Sequence, residues 1–152
     1  MQARVVARVV LWLSAAAMSA GVLASDAYTP PTSDAFLKSI RSYPFIAAAA
    51  RREKIRTGVP QLTRCMPSTE VRSLIGNPDF GFVAYRQGTN GTLPSMKLWN
   101  YVLEKKGATE IEPGSRVVVW FDPDGRVQAV TVHGASDIES TVSRRNQECP
   151  GK

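Results

Sequence analysis

The sequence predicts an α+β fold, a two-layer ααβββ(β) sandwich with helices packed on one face of a small antiparallel sheet. Three observations carry that prediction. The first half of the 152-residue chain reads as helix, from residue 34 to residue 75 with breaks. The second half holds β-branched and aromatic runs that alternate with period two. Between two of those runs stands Asp122-Pro123-Asp124-Gly125, a tight hairpin connection with proline at its first central position.

The elements follow in order. Arg4 and Arg8 precede an uncharged apolar run from Val9 to Ala24, with Val22 and Ala24 at positions −3 and −1 of a cut before Ser25. This is the pattern of a secretory signal peptide over residues 1–24. The run is shorter than the roughly twenty residues that span a bilayer. Ser25 stands where a lipoprotein would carry its acylated cysteine, so no lipid anchor is expected. Residues 25–33, polar and proline-rich, read as a flexible leader.

Residues 34–58 form an N-terminal helical segment. Ser33 can cap a helix with Phe36, Leu37 and Ile40 on one face. Pro44 breaks that helix and suits the first turn of a second one, reaching to about Arg56 before Gly58 ends it. Arg51, Arg52, Lys54 and Arg56 place positive charge toward the helix C-terminus, where the dipole favours it. The same cluster offers charge to an anionic surface, but the opposite face is mostly alanine and inserts poorly into lipid.

Residues 59–135 make the main domain. Its helix runs from Pro67 or Ser68 to Ile75, with Val71, Leu74 and Ile75 on the buried face. Gly76 stops it and Pro78 prevents continuation. Phe80 to Arg86 is a short strand. A loop over residues 87–95 follows, with Asn90-Gly91 as its turn. From Lys97 to Lys105, Trp99, Tyr101 and Leu103 face one way, Asn100 and Glu104 the other. Ser115 to Phe121 and Arg126 to His133 complete the meander. The helices would roof one face, leaving the other open to a partner. Residues 136–152 form a polar tail.

Composition narrows the function. The net charge is +6, and loss of Arg4 and Arg8 would leave 17 basic and 13 acidic residues, or +4. That is compatible with weak contact to an anionic membrane surface and too mild to argue for nucleic acid. His133 is the only histidine and ends a strand. Asp122 and Asp124 lack the remaining ligands of a calcium loop, and no cysteine–histidine spacing suits zinc. No nucleophile–base spacing is present. The expectation is a protein without cofactor, metal or small-molecule substrate, and without catalytic residues. Trp99, Tyr101, Arg51 and Arg52 are the candidate interaction residues.

Cys65 and Cys149 lie 84 positions apart. In an oxidising compartment one internal bridge is expected, which would contribute about 4–5 kcal/mol in the chain-entropy account. Two free thiols, or a link to another chain, are the alternatives.

Met66, Glu70, Val71, Ile75, Gly76 and Pro78, then Trp99 and Tyr101, then Phe121, Asp124, Gly125 and Val127 stand in the order of a family pattern. Over roughly residues 62–132 the chain resembles the SmpA/OmlA family, which includes the BamE outer-membrane assembly lipoproteins. The resemblance implies a small ααβββ domain, similar in shape to β-lactamase-inhibitory protein repeats. It implies non-catalytic contact work in the Gram-negative periplasm or at the outer membrane, supporting envelope assembly with a protein partner. The alternative is an inhibitor-like protein that docks its sheet on an exported hydrolase. Cys65 replaces the family's turn glycine, and Pro67 occupies its usual capping position. A Cys65–Cys149 bridge would then pin the tail across the helix start.

Overall fold

The computed structural model describes residues 28–89, 91–108, 114–138, 140 and 149. The expected signal peptide, the Asn90 turn position and most of the tail lie outside them. The fold is α+β. Among the described residues, three helices and a short 3-10 turn accompany an antiparallel five-stranded sheet.

Helix α1 spans Ser33–Ser39. Its cap is Thr32, one residue earlier than expected, whose Oγ1 accepts the Ala35 N–H at 3.2 Å. Ile40 falls just outside the helix. The leader is not loose from Tyr28 onward. Tyr28 meets Trp99 edge-on at 5.8 Å and lies under the Arg72 guanidinium at 4.2 Å. Pro31 O accepts the Gly81 N–H at 2.9 Å.

Pro44 does not start a second helix. It follows a cis peptide bond, and the next two residues form strand β1, Phe45–Ile46. Phe36 contacts Phe45 edge-on at 5.5 Å and stacks on Phe80 at 5.6 Å, which fixes the Phe45 side chain between α1 and the sheet. Helix α2 therefore begins later, at Ala49, and runs to Gly58. A Cβ on Gly58 would sit 2.5 Å from Ile75 Cγ2 and 2.9 Å from Leu74 O. Gly58 lets α2 and α3 touch. The 3-10 turn Val59–Gln61 follows.

Helix α3, Ser68–Ile75, matches the sequence reading. Gly76 stops it with φ of +85°, a region that suits glycine. Its N–H still reaches Arg72 O at 2.9 Å.

Strands β2 (Phe80–Gly88), β3 (Gly91–Lys105), β4 (Ser115–Phe121) and β5 (Val127–His133) form the meander. The residues expected as a loop extend both β2 and β3, because the hairpin register continues to Gly88 opposite Gly91. The β2–β3 ribbon thus runs past β4, whose pairing with β3 begins at Lys97 opposite Phe121. β1 takes the same side of β3 as β2, at the far end, pairing Phe45 with Lys105. The Asp122–Gly125 turn is closed by mutual bonds between Asp122 and Arg126.

The core lies between the helices and one sheet face. Ile55, Val59, Leu62, Val71 and Ile75 pack on Trp99, Tyr101, Val117, Val119 and Phe121. The opposite face departs from expectation at its centre. Leu98, Asn100, Val102, Val118 and Ala129 on that side are all buried, so the sheet does not present one bare open face.

Candidate interaction surface

The expected interaction residues divide sharply in the structure. Trp99 and Tyr101 are 5% and 0% exposed. They belong to the core and are not exposed anchors for a partner, although Trp99 lines a cleft at the base of the β2–β3 ribbon. Period two placed them on one face; the helices made it the dry one. The Tyr101 hydroxyl donates to Gly76 O at 3.2 Å, tying β3 to the end of α3. Burial pushes its phenol well above the usual value.

Arg51 is structural as well. Its Nη2 donates to Asn77 O at 3.0 Å and pairs with Asp79 Oδ2 at 2.9 Å. Its guanidinium lies 5.9 Å from the Tyr101 ring centre. Asp79 Oδ2 also accepts the Val102 N–H at 2.6 Å. Burial nevertheless raises the Asp79 carboxyl above its ordinary value, outweighing the opposing pull of Arg51 and the Val102 bond. Arg52 alone of the four is exposed, beside a cleft shared by Ile46, Glu53 and Glu104.

Cys65 and Cys149 are bonded, with Cα atoms 5.5 Å apart. Cys65 has φ of +66°, the only non-glycine at positive φ among the described residues. The turn is fixed from both sides. Cys65 N–H donates to Val127 O at 2.8 Å, and Val127 N–H to Met66 O at 2.9 Å. Gln128 donates through Nε2 to Cys149 Sγ at 3.5 Å, and its Oε1 accepts from Arg64 Nη2 at 2.8 Å. Helix start, hairpin and residue 149 therefore meet at one point.

The surface that sequence reading missed is the projecting β2–β3 ribbon. Phe82 is 52% exposed, Tyr85 62%, Val83 37% and Met96 38%. Register puts Val83 and Tyr85 on one side and Phe82 and Met96 on the other. The signal was present in Phe80–Tyr85, which is apolar at every position instead of alternating with polar residues. At the base of the ribbon lies a cleft of about 400 Å³ lined by Pro30, Val83, Lys97, Trp99 and Phe121, among others.

Comparisons of the chain with protein-family models, curated proteins and solved structures find no match. The family resemblance rests on the motif residues alone. Among the described residues no group of three or more histidine, cysteine or carboxylate side chains could hold a metal ion, and no helix is long and apolar enough to cross a membrane.

Proposed function

We propose that this chain is a non-catalytic protein-interaction module of the periplasm, working at or near the outer membrane in support of envelope assembly. The observation that carries this reading is the β2–β3 ribbon. Phe82, Val83, Tyr85 and Met96 remain exposed on its two faces, four of the six large apolar side chains exposed among the described residues; Leu37 and Ile46 are the others. Exposed apolar groups concentrated on one projecting element support a surface that another protein covers. The motif resemblance supports a periplasmic compartment, and the disulfide suits an oxidising one.

The test is photo-crosslinking in the producing cells, with a photoreactive amino acid in place of Tyr85 and, separately, of exposed Leu37 on α1. The reading expects an exported or outer-membrane protein to be captured from position 85 and not from position 37. Capture of nothing at either position, together with turnover of a substrate by the purified protein, would overturn it.

A further inference from the structure

Beyond Gly81, the outer edge of β2 pairs with no other strand among the described residues. We infer that it recruits an extended segment of the partner by strand addition, with an acidic side chain of that segment facing Lys97. The inference deepens the interaction-module reading and rests on it.

Four features lead there. Among the described residues β2 pairs with β3 and with no other strand. Its outer side already takes one strand-like bond, from Gly81 N–H to Pro31 O at 2.9 Å. With period two, Val83 and Tyr85 turn their N–H and C=O groups to the same side. Among the described residues no backbone bond reaches them there. The incoming chain would continue the line that Pro31 begins.

Edges of natural sheets are normally blunted by charge, proline or a bulge on the edge strand. From Phe80 to Tyr85 there is neither a charge nor a proline, and the one charge of β2, Arg86, comes after them. The ribbon's bulge falls on β3, at Ser95, where the register slips between Ala84 and Tyr85. An edge left apolar and regular is a template for pairing, and here its side chains alternate between the two faces of the ribbon.

The cleft says what chemistry the partner brings. Val83 stands opposite Lys97 in register, and both line it with Trp99 and Phe121. Among the described residues no carboxylate lines the cleft. Lys97 takes part in none of the ion pairs among the described residues. An apolar side chain of the added strand can enter between Val83 and Pro30, and a neighbouring glutamate or aspartate can reach the Lys97 ammonium.

The experiment titrates the purified full chain with a short blocked peptide of alternating valine and threonine carrying one glutamate, followed by amide NMR. Saturable binding is expected, with shifted and slowly exchanging Val83 and Tyr85 amides. Val83→Pro removes an outward N–H without touching the ladder to β3, and should weaken binding about fivefold. Val83→Lys, which keeps the backbone intact, should weaken it at least as much. Replacing the peptide's glutamate by lysine should cost about threefold. Absence of saturable binding, or binding unchanged in both folded variants, would overturn the inference. So would a concentration-dependent dimer through this edge, lost in Val83→Lys, because the occupant would then be a second copy. If the peptide fails while position 85 still captures a protein in cells, strand addition falls and the interaction-module reading stands. If the peptide binds as expected while cells yield no capture, the edge pairing stands and the cellular reading falls.

Discussion

Arg51 Nη2 sits 2.9 Å from Asp79 Oδ2, and that carboxylate closes a gap in the sheet. On one edge of β3 the pairing with β2 ends at Asn100 and the pairing with β1 resumes at Glu104. Between them, the Val102 N–H is satisfied by Asp79 Oδ2 at 2.6 Å, and Leu103 O by the Ala47 N–H at 3.0 Å. One side chain thus substitutes for a missing strand residue, and Arg51 holds it from α2.

Asp79→Ala removes the acceptor of a buried N–H and the partner of Arg51 together. It should destabilise the fold by about 2–3 kcal/mol in urea melts. Asp79→Asn keeps an acceptor for Val102 and should recover part of that loss.

The raised Asp79 carboxyl also sets a pH dependence. Between its ordinary value of 3.8 and its higher value in the fold, the folded chain binds a proton that the unfolded chain does not. Acidification through that window therefore adds stability, and the gain is lost as pH rises through the folded value. Relative to Asp79→Asn, the native protein should gain stability as pH is lowered from neutral into the ordinary carboxylate range. A constant difference between the two proteins across that range would refute this.

Cys149→Ser should cost about 2–5 kcal/mol and leave Cys65 open to a thiol reagent. With the bond gone, the left-handed backbone at residue 65 loses its compensation. In the Cys149→Ser background, Cys65→Gly should therefore be more stable than Cys65→Ser, by about 1 kcal/mol in chemical denaturation.

Gly58→Ala places a methyl group against Ile75 Cγ2 and the Leu74 carbonyl. Backbone cannot yield as a side chain does, so α2 and α3 must part. Thermal melting should show a loss of about 1–3 kcal/mol, although alanine is the better helix former.

Trp99→Ala and Tyr85→Ser remove aromatics of opposite standing. The first empties the core and should cost about 3–5 kcal/mol. The second lies on the exposed ribbon and should change stability by less than about 0.5 kcal/mol. Equal losses in the two variants would contradict the assignment of Trp99 to the core and Tyr85 to the surface.

Local chemistry made much of this fold legible. The Val71, Leu74 and Ile75 spacing, with Gly76 and Pro78 behind it, located α3. The Asp122–Gly125 turn located the β4–β5 hairpin. What escaped depended on distant partners. β1 is two residues long and exists because Lys105 and Glu104, far along the chain, are there to pair with it. The polar residues after Arg86 read as loop because ribbon strands satisfy each other's backbone whatever their side chains. Trp99 and Tyr101 could be assigned to a common face, but wetness of a face is decided by what packs on it. Arg51 and Arg52 are adjacent and chemically identical; the placement of Asp79 and Asn77 O makes one a brace, and the other lies exposed.

The positive φ at Cys65 reaches beyond this molecule into its ancestry. A side chain there is tolerable while a covalent tie to Cys149 offsets the conformational cost, and glycine is the natural occupant otherwise. The two cysteines should therefore be inherited or lost as a unit. Descendants of a common ancestor that lack the second should carry glycine in place of the first.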